Sequence, residues 1–120
     1  MKARKIQEDL SCGITVAMKI LGSKWKHCIL DVINQGNARP SQIQRAIRVA
    51  PPRVIEMQLR ELQLYGIVDK KVYAERPLRT EYSITPTGHS LIRLIKRIDL
   101  WGSQNRHILE LHPDYAGIER

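Results

Sequence analysis

Between Asp31 and Glu56 the chain holds no acidic side chain but four arginines, Arg39, Arg45, Arg48 and Arg53. Guanidinium groups without interspersed carboxylates suit an anionic partner, because each planar fork of N–H donors matches a phosphate or the edge of a guanine. Over residues 53–65, Ile55, Leu59 and Leu62 fall on one face of a helix and leave Arg53, Glu56, Met57 and Arg60 outside. Arg53, Met57 and Arg60 follow i,i+4,i+7 spacing and form one outward stripe. Arginine can read guanine or hold phosphate, and an exposed methionine offers an adaptable apolar contact. The plain alternative is a solvated helix face carrying an i,i+4 Glu56–Arg60 pair.

Two thiols come next. Cys12 follows a basic N-terminal stretch with Lys2, Arg4 and Lys5, and a thiolate near cations is the reactive form of cysteine. The competing reading is a small buried hydrophobe. Cys28 sits on a helix with Trp25 and is expected to be core or half-buried. No metal site is expected: His27 and Cys28 are adjacent, and His107 and His112 are five apart where helical ligand pairs prefer three or four. A Gly-rich phosphate loop, a nucleophile elbow and a paired-carboxylate arrangement are all missing, so neither catalysis nor a cofactor is expected.

The chain of 120 residues fits one domain over 1–120, and 42% apolar residues supply one modest core. Its net charge of +8 is unevenly placed. Residues 1–80 carry 15 basic and 7 acidic side chains, whereas residues 81–120 carry five of each. An idle surface would mix the signs, so the first two thirds are expected to meet the anionic partner. No apolar run is long enough to span a bilayer, and the basic N-terminus lacks an apolar stretch behind it. With two cysteines and no disulfide framework, a reducing cytoplasmic location is the expectation, with no membrane partner.

These side chains need elements to hold them. Residues 14–21 form a compact apolar stretch stopped by Gly22. Ser23 is expected to cap a helix that buries Trp25, Ile29, Val32 and Ile33 and ends near Gly36-Asn37. Ser41 is expected to cap a short helix carrying Ile43 and Ile47, and Pro51-Pro52 to open the helix of 52–64. β-Branched and aromatic residues at 67–73 and 80–84 predict a hairpin whose tip, 74–80, carries Arg76 and Arg79. Thr85-Pro86 supplies a cap and a first-turn proline for a last helix at about 86–110, with Leu91, Leu94, Ile95, Ile98, Trp101 and Ile108 along one side.

The expected fold is mainly α with a small β-hairpin: a winged helix-turn-helix with flanking N- and C-terminal dimerisation helices. A short helix braced by two others enters a major groove, and the hairpin of about 67–85 reaches the neighbouring backbone. The candidate DNA contacts are Ser41, Gln42 and Arg45 on phosphate, Pro52, Arg53, Met57 and Arg60 at the recognition helix of about 52–64, and Arg76 and Arg79 from the wing. A last helix this long exceeds what so small a core can cover. Ile14, Leu94, Ile98 and Trp101 are therefore expected to bury against a second copy in a two-fold contact.

The order of Cys12, Gly22-Ser23-Lys24-Trp25, Gln58-Leu59-Arg60-Glu61-Leu62, Gly66-Ile67-Val68 and Glu81-Tyr82-Ser83-Ile84-Thr85-Pro86-Thr87-Gly88 resembles the HxlR-type transcription regulators, a branch of the MarR-like winged-helix proteins. The resemblance spans roughly residues 10–105. It implies a homodimer on double-stranded DNA with a near-palindromic operator. It also implies a sensing role for Cys12 toward an oxidant or small-molecule effector, the alternative being a structural thiol at the dimer helix. Three positions depart from the family pattern. Gly13 stands where proline is usual, Ser23 where a second glycine is usual, and Pro51-Pro52 replaces a common serine and removes N–H donors from the start of the recognition helix. The rival function is a winged-helix protein-interaction module without DNA binding. Arginines at 53, 60, 76 and 79 weigh against it.

Overall fold

The computed structural model describes residues 9–111 and residue 114. Lys2, Arg4, Lys5 and His112, named above beside Cys12 and His107, lie outside the described residues.

The order of elements is α1 (Gly13–Leu21), α2 (Lys26–Asn34), α3 (Pro40–Ala46), α4 (Pro52–Leu64), β1 (Val68–Tyr73), β2 (Arg79–Ile84), α5 (Pro86–Gln104) and α6 (His107–Glu110). The strands form an antiparallel hairpin in register from Val68 opposite Ile84 to Tyr73 opposite Arg79. Ahead of α3, the Ala38 carbonyl accepts the Tyr82 N–H at 2.7 Å, which ties the hairpin to the helices. The core is one cluster. Ile29, Leu30 and Ile33 of α2 meet Ile43 and Ile47 at α3, Ile55, Leu59 and Leu62 of α4, Ile67 and Val68, and Ile92 of α5. Each fully buried Ile or Leu contributes about 1.5–3 kcal/mol relative to exposure.

Glycines end two of the helices as the sequence suggests. After α4, Gly66 takes φ +72, its N–H bonds Gln63 O at 3.0 Å, and Ile67 N–H bonds Leu62 O at 2.9 Å. That pair of hydrogen bonds satisfies the last carbonyls and turns the chain into the wing, with Leu62 and Ile67 both buried. Gly36 does the same for α2 at φ +106, with Gly36 N–H on Ile33 O and Asn37 N–H on Val32 O. At the other end of the wing, Thr85 caps α5 by accepting the Gly88 N–H at 3.0 Å, while its own hydroxyl reaches Gly66 O at 2.7 Å.

Three boundaries differ from expectation. Ser41 is not a cap: Pro40 takes the first helical position of α3, Arg39 the cap, and the Gln42 side chain accepts the Arg39 N–H at 3.0 Å. Trp25, rather than Ser23, is the cap residue of α2, although Ser23 Oγ still accepts the Lys26 N–H at 3.3 Å. The last helix does not run unbroken to 110. Asn105 turns its side-chain amide back onto Trp101 O at 2.8 Å, and the chain restarts as α6 after Arg106.

The two flanking helices are poorly covered. No residue of α1 is buried despite its apolar sequence, and of the 19 residues of α5 only Gly88 and Ile92 are.

Candidate nucleic-acid interface

Helix α4 presents its outward stripe as the spacing requires: Arg53, Met57 and Arg60 are exposed, while Ile55, Leu59 and Leu62 point into the core. No carboxylate lies within 4.0 Å of Arg53, Arg60 or Arg76 among the described residues, and the Glu56–Arg60 pair of the plain alternative does not form. Pro52 occupies the exposed first position of α4 and Pro51 its cap, so this end offers fewer N–H donors than an ordinary helix start.

The inner side of α4 is held to α2 by a polar clamp. The Lys26 ammonium, on a residue 4% exposed, lies 3.6 Å from Glu61 Oε1 and 5.8 Å from the centre of the Tyr65 ring. The Tyr65 hydroxyl donates to Glu61 Oε2 at 3.4 Å. A buried ammonium left without its carboxylate is costly, so this contact fixes how α4 sits on its support.

Two clefts lie along the wing, one against α4 and one against the start of α3. One, of about 290 Å³, brings Arg60 and Glu56 to Lys70, Thr80 and Tyr82 of the wing. Burial pushes the Tyr82 phenol above its usual pKa, with Glu56 adding to the shift and Arg60 opposing it. The other, of about 450 Å³, brings Ser41 and Arg39 of the α3 start to Arg76 at the wing tip. Lys70 and Arg39 thus join the surface without having been singled out. Lys70 was not legible, because it shares the strand face of Val68 and Val72 where alternation expects an apolar residue, and Arg39 was legible only as one of the arginines of the acid-free run.

The remaining candidates are placed differently. Gln42 is half-buried and its carbonyl is engaged by Arg39 N–H. Arg45 is exposed but lines a groove against α5, away from the wing. Arg79 is committed within the protein. Its guanidinium lies 3.2 Å from Glu75, 3.8 Å from Glu81 and 3.9 Å from the centre of the Tyr73 ring. Glu81 also meets Arg39 at 4.0 Å, so one carboxylate links the wing to the approach to α3.

Away from this surface, Ile14 is 73% exposed and Trp101 63%, with Leu94 and Ile98 also open. Cys12 is exposed at the cap of α1. The Thr15 hydroxyl, then the N–H groups of Thr15 and Ile14, favour its thiolate and lower its pKa below the usual thiol value. Cys28 is half-buried and its pKa is raised, by burial first and by Asp31 second. Its sulfur lies 3.5 Å from His27 Nε2, closer than adjacency in sequence suggests. No group of three metal-binding side chains occurs among the described residues.

The family model of HxlR-like helix-turn-helix proteins matches residues 20–109. The chain belongs to the HxlR-like helix-turn-helix family. An uncharacterised HTH-type transcriptional regulator of Methanothermobacter thermautotrophicus is 35% identical over 95 residues, covering 79% of this chain and 72% of the relative. Among solved structures, the redox regulator HypR in its reduced form superposes with a TM-score of 0.77 at 31% identity, covering 84% of this chain and 100% of HypR. A MarR-family regulator from Enterococcus faecalis gives 0.73 at 28% identity, covering 88% and 96%. This HxlR-like chain is a transcriptional regulator of helix-turn-helix type with a MarR-like winged fold, and its relatives are regulators rather than enzymes. Among the described residues no helix is long and apolar enough to cross a membrane.

Proposed function

We propose that this HxlR-like regulator binds double-stranded DNA as a homodimer on a near-palindromic operator, with α4 in the major groove and the β1–β2 wing on the flanking backbone. The observation that carries the reading is the outward stripe of α4. Among the described residues no carboxylate lies within 4.0 Å of Arg53 or Arg60, and the neighbouring clefts add Lys70, Arg39 and Arg76. Arg53, Met57 and Arg60 face base edges, Ser41, Arg39 and Arg76 face phosphates, and Arg79 braces the wing. Gln42, Arg45 and Pro52 lie at the margin of this surface.

The second copy docks on Ile14, Leu94, Ile98 and Trp101. An apolar α1 with no buried residue and an α5 with two are otherwise left against water. A working place in the cytoplasm fits two thiols that stay free. Cys12 is the candidate for an oxidant or electrophile effector, supported by its exposure, its lowered pKa and the likeness to HypR, a redox regulator.

The direct test of the interface is Arg53→Ala against a bound operator fragment. A base contact loses about 1–3 kcal/mol and relaxes the preference at one position. A uniform loss across all sequences would reduce Arg53 to a phosphate contact. Unchanged binding with the fold intact would take Arg53 out of the interface, and a parent protein that binds no DNA would favour the protein-interaction module instead.

A further inference from the structure

Helix α4 carries two carboxylates with opposite surroundings. Glu61 is held on the inner side by Lys26 and Tyr65. Glu56 is exposed, with no cation within 4.0 Å among the described residues. Helix geometry gives it no task either, because it lies past the first turn, where a carboxylate would meet the positive end of the dipole. It lines the cleft against the wing together with Arg60 and Lys70, and Glu56 and Arg60 act on the Tyr82 phenol with opposite sign. At about 100° per residue, Arg60 stands about 40° round the helix from Glu56 and Arg53 about 60°, both on the same side. The three side chains therefore address one strip of a groove.

A negative group at this place costs affinity for DNA as such, because phosphates only repel it. Whatever it gains must come from the base edges. A carboxylate accepts hydrogen bonds and donates none. In the major groove guanine shows two acceptors, and thymine an acceptor and a methyl group. Adenine has an N6 donor, but its N7 acceptor lies beside it. Cytosine presents its N4 donor with no acceptor of its own on that edge.

We propose that Glu56 selects cytosine, accepting an N4 amino proton from one base in each half-site and disfavouring the other bases there. The inference rests on the proposed DNA reading and deepens it, since Arg53, Met57 and Arg60 alone specify guanine and an apolar contact. The carboxylate acts by exclusion as well as attraction: any sequence that sets an acceptor opposite it is penalised, and so is binding to random DNA. Along the helix axis Glu56 lies about 4.5 Å from Arg53 and about 6 Å from Arg60, against about 3.4 Å per base step. Its cytosine therefore falls between the bases that the two arginines meet.

The test uses the full chain and its variants Glu56→Gln and Glu56→Ala, each selecting fragments from random double-stranded DNA. Affinities are then measured on the parent's motif with every base at each position. The parent is expected to prefer cytosine at one position of each half-site by about five- to 150-fold, the range of one base contact. Glutamine pairs with N6 and N7 of adenine, so Glu56→Gln is expected to move that preference from cytosine to adenine and leave the other positions alone. Glu56→Ala is expected to lose the preference and to bind random DNA about two- to threefold more tightly, as removal of one like charge about 7 Å from a phosphate requires. Identical base preferences in all three proteins overturn the proposal. So does an equal change on every sequence, which would make Glu56 a general charge only. A parent that enriches a motif under either result keeps the DNA reading and loses Glu56 alone, whereas a parent that enriches no sequence removes both.

Discussion

On the wing, Arg76 and Arg79 are separated by two residues and differ in what surrounds their charge. Arg76 is exposed with no carboxylate within 4.0 Å among the described residues, while Arg79 is stacked on Tyr73 and bound by Glu75 and Glu81. Phosphate contacts release counterions, so each one adds about 0.9 to the slope of log affinity against log salt. Arg76→Gln is expected to lower that slope by about one unit. Arg79→Gln is expected to weaken binding with the slope unchanged, because it loosens the wing instead of removing a contact. Equal slope changes in the two variants would contradict this division. The sequence showed two arginines at a basic tip. It could not show which was occupied, because Glu75 and Glu81 lie on either side of the turn and only the strand register brings both to Arg79.

The thiols divide in the same way. Cys12 has its thiolate favoured by Thr15 and the first N–H groups of α1, and burial disfavours the thiolate of Cys28. A thiol with a lowered pKa reaches a given thiolate fraction at lower pH, and one with a raised pKa at higher pH. Iodoacetamide labelling over a pH series is therefore expected to modify Cys12 first, with its half-maximal rate below pH 9.0 and that of Cys28 above it. Equal rates, or Cys28 reacting first, would remove the basis for a reactive Cys12.

At the scale of elements, the positions that proved legible were those where backbone geometry restricts the residue. Gly36 and Gly66 take positive φ beyond the ends of α2 and α4, and Thr85-Pro86 starts α5 as written. Caps were less legible. Ser23 and Ser41 are common cap residues, but Pro40 already has the fixed φ of a first helical position and moves the start of α3 back by two residues. The break at Asn105 was missed because an asparagine that returns its amide to Trp101 O looks, in sequence, like any polar position of a helix. Gly88 carries a constraint that no periodicity reveals. A Cβ there would collide with the Ile67 carbonyl oxygen, where the base of the wing crosses the start of α5. Gly88→Ala is expected to destabilise the fold by about 1–3 kcal/mol in urea unfolding, whereas Gly102→Ala, with open space around it, serves as the control. Equal stability of the two variants would mean that α5 does not start against the wing.

Across the whole molecule, the arginines of residues 39–79 divide between two surfaces. Arg53, Arg60, Arg76, Lys70 and Arg39 are gathered around α4 and the wing, and Arg79 is neutralised there. Arg45 and Arg48 face the groove against α5. The electrically balanced last forty residues carry Leu94, Ile98 and Trp101, where a second copy would otherwise be repelled. The groove was invisible in the sequence because its walls come from three helices and none of them shows it alone. In the proposed complex two copies of α4 read DNA from one symmetric particle. Selection of bound fragments from random double-stranded DNA tests it most directly. The expected result is a two-fold-related motif with half-sites about one helical turn apart, lost with rising salt. Recovery of no enriched sequence, or of a single asymmetric site bound by one copy, would contradict the account.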